Sequence, residues 1–497
     1  MANHTDQSEP ERHSLDRSMF TGVAWVSAAK WSAQLVGWAS TILVARILTP
    51  ADYGLLTMAS VFFGIVFILS EFGVGTAVIT LRELPDSELS QLNAFSLLLG
   101  LGGTLLAAAM AYPLGLFFRA SELPPVVVVL GLSFLISSFQ TVPLALMRRE
   151  LRFRRLALID VIRGLVVPAV TLVGALAGLR YWALALGSVV GALITTGLAL
   201  SLRPLPFSWP HLKGLKPALS FSRDILVGRL AWIIFQDGDF AVAGRRLGQA
   251  AVGDYSLAWT LATSPIEKVT MVLSDVTPSL FSAVQHDRPA LKRYFLNISE
   301  VLCLATFPAS VGMALVSHDL VSVVLGPKWV GATLPLAILA LYAGARSVTI
   351  LYSHLFNATR ETRFGMWIAV VGAVVLLGGF IAGSHWGPAG IAAAWLLLHP
   401  LLSAVSLRRV QRILQMRWAE YFQALRLGLD GTVVMALVLF GFQSFVAESW
   451  PGGLRLGTSV VVGATAYILA TWLLHRARLV HILAWLRRVR GGGGAPA

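Results

Sequence analysis

Apolar runs of about 20 residues recur from one end of the chain to the other, separated by short polar connections. A run of that length crosses ~30 Å of hydrocarbon as a helix. The pattern predicts fourteen spans: 19–45, 54–80, 93–117, 125–146, 156–178, 181–202, 218–243, 255–283, 294–317, 331–356, 365–383, 388–407, 427–447 and 456–475. The eighth holds Pro265, Glu267, Lys268, Asp275 and Pro278, and a plain hydropathy window would pass over it. The connection at 318–330 is the longest on its side of the membrane.

Composition agrees with this pattern. Only 13% of the 497 residues are charged and 56% are apolar, against about 25% charged in an ordinary soluble chain. The polar first 18 residues lead into a run that keeps Lys30 mid-way, which reads as a retained span and not as a cleaved signal peptide. The single cysteine, Cys303, excludes an internal disulfide and a thiol metal site. The ten histidines show no HxxxH or HExxH spacing, so no metal centre is expected.

Charge sets the orientation. Short cytoplasmic loops are enriched in Lys and Arg. With alternate connections assigned to opposite sides, the side holding both termini receives 26 of the 39 basic residues, the other side 7, and 6 fall within spans. This predicts an even number of spans with both termini cytoplasmic. It also accounts for the net charge of +14 without nucleic acid as a partner.

A phrase occurs twice. RILTPADYGLLT at 46–57 and RRLGQAAVGDYSLAWT at 245–260 both follow an apolar run and enter another, with Tyr53 and Tyr255 202 positions apart. ILSEFG at 68–73 and VLSDVT at 272–277 echo further on. An Asp-Tyr pair is a sound local helix-start signal, but the matching topological position points to a parallel duplication of a six-helix unit, a known transporter plan. The predicted organisation is an all-α polytopic protein. It has a polar tail (1–18), an N-lobe (19–203), a linker (204–217), a C-lobe (218–407), a basic amphipathic connector (408–426), two extra helices (427–475) and a basic amphipathic tail (476–497). The connector and the tail both suit helices lying on an anionic membrane surface.

An ionisable side chain at mid-bilayer costs at least about 2.5–3.5 kcal/mol and marks an ion or substrate path. Five cations fall there: Lys30, Arg163, Arg229, Lys268 and Arg346. If they converge they form a positive chamber for a pyrophosphate or other polyanionic head group, since Arg binds phosphate oxygens bidentately and Lys acts as a compact charge. The alternative is pairwise neutralisation, with Glu267 or Asp275 on Lys268 and Asp237 or Asp239 on Arg229. Glu71, Asp237, Asp239, Glu267 and Asp275 are the candidates for coupling to a proton or Na⁺. Lys30, Trp31, Gln34 and Trp38 recur on one stripe of the first span and are expected to line a cavity. No phosphate loop, no GxSxG and no usable Ser/His/Asp spacing is present, so no catalytic residue and no cofactor are expected.

The segments ARILTPADYGLLTMAS, EFGVGTAVI, GDYSLAWTLATSP and LVSVVLGPKWVGATLPLAILAL, in this order, resemble the polysaccharide transporter family. That family includes the Wzx-type flippases of the multidrug/oligosaccharidyl-lipid/polysaccharide superfamily. The resemblance implies two six-helix lobes, often with two additional helices. It implies ion-coupled export of an undecaprenyl-pyrophosphate-linked oligosaccharide across the bacterial inner membrane. A polysaccharide polymerase and a chain-length regulator are the partner proteins to expect, beside the membrane lipids. Rival readings are a lipid II flippase, a cation-coupled multidrug antiporter and a membrane glycosyltransferase or polymerase. The last normally presents catalytic groups on a sizeable periplasmic loop, which no connection here provides.

Overall fold

The computed structural model describes residues 34–71, 74–80, 84–208, 236–445 and 450–490. Lys30, Trp31 and Arg229 lie outside these residues, as do the side chains of Glu71 and Asp275. The described residues form helices and turns, with no strand among them. In chain order the helices are α1 (Gln34–Ile47), α2 (Pro50–Glu71), α3 (Val74–Thr80), α4 (Asp86–Phe118), α5 (Leu123–Arg149), α6 (Phe153–Leu176) and α7 (Tyr181–Leu202). There follow α8 (236–247), α9 (Gln249–Ala283), α10 (Arg288–Leu315), α11 (Ser317–Leu320), α12 (Thr333–Ala358), α13 (Thr362–Gly383), α14 (Gly387–Leu414), α15 (Trp418–Phe445) and α16 (Gly452–Arg490). Ten of the described helical stretches are long and apolar enough to cross a membrane, and one of these, 362–414, contains both α13 and α14. The chain is a multi-pass membrane protein. α9 is not among the ten, because it carries the charges that the sequence places there.

The chain divides into two compact units, residues 1–48 with 62–230, and residues 49–61 with 231–497. In the first, small residues let helices approach closely. A Cβ added at Gly100 of α4 would lie 2.5 Å from Ser138 of α5, and one at Gly187 of α7 would lie 2.2 Å from Thr171 of α6. Hydroxyls tie helix to helix in the same unit: Thr104 donates to the Gly131 carbonyl at 2.9 Å, and Ser40 of α1 to the Pro168 carbonyl at 3.0 Å. Lipid supplies no hydrophobic drive between helices, so close packing and such hydrogen bonds hold them. Leu105, Leu116, Val173 and Leu176 are all exposed, an apolar surface suited to lipid.

The core of the second unit draws Phe281, Phe295, Leu302, Tyr352, Phe356 and Leu425 from α9, α10, α12 and α15. Residues 408–426, expected as a surface helix, instead finish α14 and begin α15. Their apolar positions Val410, Leu414, Met416, Tyr421 and Leu425 are buried in this core, so the amphipathic face packs on protein and not on lipid. Lys292 donates to Glu420 at 2.6 Å, and Arg417 N donates to the other oxygen at 2.7 Å.

α16 is fastened by two arginine forks, one near its start and one just after its bend. Arg455 pairs with the buried Asp319 through both carboxylate oxygens. Arg478 donates to Glu300 at 2.6 and 3.2 Å, and Glu300 is only 3% exposed. Non-helical backbone at His475 bends α16, where the His475 ring meets Asp430 at 3.0 Å. The connection at 318–330 is a compact run of short helical turns that buries Trp329.

The repeated phrase takes a different register from the one its Asp-Tyr pairs suggest. α2 starts at Pro50 and α9 at Gln249, and both of these starts belong to the second unit. A Cβ on Gly54 would lie 1.8 Å from the Gln249 carbonyl oxygen, and one on Gly253 would lie 1.7 Å from that of Pro50. The contact is reciprocal, so Gly54 matches Gly253 and Pro50 matches Gln249. Asp52 is then no counterpart of Asp254. It works locally as a capping-box acid, accepting from Thr49 N at 2.9 Å and Thr49 Oγ1 at 2.7 Å. Tyr53 packs edge-on against Trp329 at 5.3 Å, whereas the Tyr255 hydroxyl donates to Asp239.

Overpacking a tight helix contact costs about 1–3 kcal/mol. Gly253→Ala should therefore lower the melting temperature of the purified protein by several degrees. Gly197→Ala, whose Cβ would meet nothing within 4 Å, should leave it unchanged. Equal melting of the two variants would contradict the reciprocal contact.

Candidate functional site

Each unit contains a cavity lined by a candidate cation. In the first, a cavity of about 870 Å³ lies among Phe67, Gln140, Thr141, Arg148, Asp160 and Arg163. Arg163 sits on α6, and Gly191 of α7 leaves room for it: a Cβ there would stand 3.7 Å from the guanidinium Nε. Arg163 has no hydrogen bond or ion pair among the described residues, and its side chain is exposed. An adjoining groove of about 400 Å³ brings Gln34 and Gly37 of α1 to Asp160, Arg163 and Pro168. Gln34 of the polar stripe and the α6 cation thus line one groove. Trp38 is half-buried and lines neither space.

In the second unit a cavity of about 540 Å³ is lined by Trp259, Tyr342, Arg346, His354, Trp395 and His399, among others. Arg346 of α12 lies 3.6 Å from Glu267 of α9, with both side chains partly exposed. Such a pair is worth less than about 1 kcal/mol, and Arg346 keeps donors for another acceptor. Lys268 is half-buried without an ion pair among the described residues. Glu267 therefore meets Arg346 and not its sequence neighbour.

The two acids of α8 differ. Asp239 is fully buried. It accepts from the Tyr255 hydroxyl at 2.7 Å, the Trp395 indole at 2.9 Å and the Phe240 amide at 2.8 Å. An aromatic cluster closes around it, with Tyr342 and Trp395 4.9 Å apart and Phe380 and Trp395 5.0 Å apart. Asp237, two positions earlier, is half-buried. Residues two apart on a helix do not face one another, and the two acids have different surroundings. No group of three or more His, Cys, Asp or Glu that could hold a metal ion occurs among the described residues.

With this geometry in hand, comparison with known proteins is decisive at the level of family. A model of the polysaccharide biosynthesis protein family matches residues 43–334, more than half of the chain. The chain belongs to this family. It is 26% identical over 399 residues to the lipopolysaccharide biosynthesis protein WzxC of Escherichia coli (strain K12), covering 77% of this chain and 80% of that one. It is 22% identical over 486 residues to the succinoglycan biosynthesis transport protein ExoT of Rhizobium meliloti (strain 1021), covering 97% and 98%. The solved structure of the lipid II flippase MurJ in an inward closed conformation shares the fold, with a TM-score of 0.75 at 14% identity, over 92% of this chain and 100% of that one. The family membership agrees with the resemblance carried by the sequence motifs.

Sequence reasoning did not single out Tyr255 as the partner of Asp239, nor Trp259, Tyr342, Trp395 and His399 as cavity residues. A signal was present. Tyr255 and Trp259, Tyr342 and Arg346, and Trp395 and His399 are each four apart, the spacing that places two side chains on one helical face.

A hydrogen bond to a charged acceptor contributes about 1.5–3 kcal/mol, and a buried acceptor left short exacts a further penalty. Tyr255→Phe should thus destabilise the purified protein by about 2 kcal/mol. Thermal unfolding followed by tryptophan fluorescence checks this, and a melting point unchanged from wild type would show that Tyr255 does not hold Asp239.

Proposed function

We propose that this protein is a flippase that exports an undecaprenyl-pyrophosphate-linked oligosaccharide repeat unit across the bacterial inner membrane. It does so by alternating access, driven by a proton or Na⁺ gradient and without a bound cofactor or catalytic step. In this reading fourteen spans leave both termini in the cytoplasm, and the exported unit feeds exopolysaccharide, O-antigen or capsule assembly beside a polymerase. Two relatives support it by description, one a transport protein of succinoglycan biosynthesis and one a probable glycan biosynthesis flippase of Haloferax volcanii.

The observation that carries the reading is the state of Arg163, a guanidinium inside a spanning helix, facing a large cavity and without an ion pair among the described residues. A charge placed there at a cost of several kcal/mol is explained by a ligand that neutralises it. A pyrophosphate offers several oxygens to the guanidinium fork. Polar residues such as Gln140 and Thr141 replace hydration of the head group, while the polyprenyl chain stays in lipid. A cation antiporter would place acids where this chain places Arg163 and Arg346. In the second unit Arg346 lines the cavity that offers a phosphate the same fork, with Glu267 releasing it when phosphate binds and Lys268 adding positive charge one residue along α9 from Glu267. The sealed state of Asp239 makes it a structural anchor first. Asp237 and Glu267 are then the described acids best placed to couple an ion.

Arg163→Ala and Arg346→Ala, each introduced into a strain that depends on this gene for its surface polysaccharide, should lower polymer yield at least tenfold with unchanged protein in the membrane. Arg346→Lys should retain part of the yield. Wild-type polymer from both alanine variants would overturn the assignment of these residues to the head group.

A further inference from the structure

A third cavity lies at the arginine-rich membrane face of the second unit, where α9 passes into α10, α12 ends and α14 ends. It measures about 490 Å³, and its lining includes Arg288, Arg360, Arg409, Arg412, His286 and Glu361. Four guanidinium groups thus meet one carboxylate. That carboxylate is taken: Glu361 accepts from Arg409 Nη2 at 2.6 Å. Arg288, Arg360 and Arg412 have no ion pair among the described residues, and the Arg409 Nε is buried without a partner.

Local geometry keeps this excess of charge together. Arg360 follows the last turn of α12 with φ 61°, the left-handed region that glycine usually occupies after a helix. Glu361 N closes the turn on the Phe356 carbonyl at 2.8 Å. The Arg409 guanidinium also stands 5.8 Å from the centre of the Phe364 ring, joining the start of α13 to the end of α14. Asp287, the nearby acid, is occupied in capping α10 through the Ala290 amide at 3.0 Å.

An apolar surface leads away from the arginines. Leu401, Val405 and Arg409 follow each other at intervals of four on α14, hence on one face. Leu401 is 65% exposed and Val405 48%. Arg409 lies about 6 Å further along the helix axis than Val405. On α13, Trp367 is likewise exposed, and tryptophan favours the level of lipid head groups. A soluble anion would use the arginines alone. A ligand with a phosphate at one end and acyl chains at the other uses both surfaces.

We propose that this cavity binds the phosphate head group of an anionic phospholipid of the adjacent leaflet, with its acyl chains along the exposed apolar face of α13 and α14. The site is separate from the cavities of Arg163 and Arg346 and does not depend on what the protein transports. Held there, the lipid neutralises the ends of α10, α12 and α14 together.

Native mass spectrometry of the full-length protein, released from mixed phosphatidylglycerol and phosphatidylcholine membranes, tests this. Wild type should retain phosphatidylglycerol in clear preference to phosphatidylcholine. At about a fivefold gain per basic residue near an anionic surface, the double variant Arg360→Gln/Arg412→Gln should weaken that retention about 30-fold. Arg288→Gln, at an exposed helix start, should weaken it about fivefold and serves if the double variant does not fold. Undiminished retention in a folded variant would overturn the proposal. So would release of the lipid by millimolar inorganic phosphate, which would mark a soluble-anion site, or by a polyprenyl pyrophosphate at equal concentration, which would mark a station on the substrate path.

Discussion

Within hydrocarbon no water is present to satisfy a polar group, so each charge buried in a spanning helix needs its partner from the chain or from a ligand. This constraint sorts the charges of the structure. Asp239 has three donors, Glu300 has the fork of Arg478, and Asp319 has the fork of Arg455. These acids are held in place and in turn hold α8, α10 and α16. Arg163 and Lys268 lack an ion pair among the described residues, and Arg346 has only a loose one. These three acids are satisfied while Arg163 and Lys268 keep their donors, the asymmetry expected of a carrier of anions.

The same constraint shapes the helix contacts. Glycine and hydroxyl side chains bring backbones together at Gly100, Gly187, Gly54 and Gly253. The last two form a reciprocal pair, each glycine facing the start of the other helix. Asp-Tyr was the conspicuous part of the repeated phrase, yet its two occurrences have unrelated tasks: Asp52 caps a helix, while Tyr255 supports a buried acid. Backbone approach tolerates only glycine, whereas side chains at a helix start can change their employment.

Much of the helical architecture was legible in the sequence, because the length of an apolar run reports directly on the solvent that the segment faces. The charged helix α9 was readable for the same reason, since its neighbours fixed where it had to lie. The segment 408–426 was not. Its amphipathic pattern is the same whether the apolar face meets lipid or protein, and only the packing of Val410, Leu414 and Tyr421 decides between them. Depth along a helix located Arg163 and Arg346 beside cavities, but could not tell that Asp239 is enclosed and Asp237 is not, since that depends on Tyr255 and Trp395, 16 and 156 positions away. Pairing across the chain is invisible to spacing along it.

The central claim is that cations within the spans carry a pyrophosphate-linked glycan from one leaflet to the other. Reconstitution tests it most directly: the purified protein in liposomes with a fluorescent lipid-linked pyrophosphoryl oligosaccharide in one leaflet, its arrival in the other read by a membrane-impermeant quencher. The account predicts transfer that requires the protein, and that is lost when the pyrophosphate is replaced by a neutral linkage. Folded protein that moves no labelled lipid, or moves the neutral analogue equally well, would contradict it.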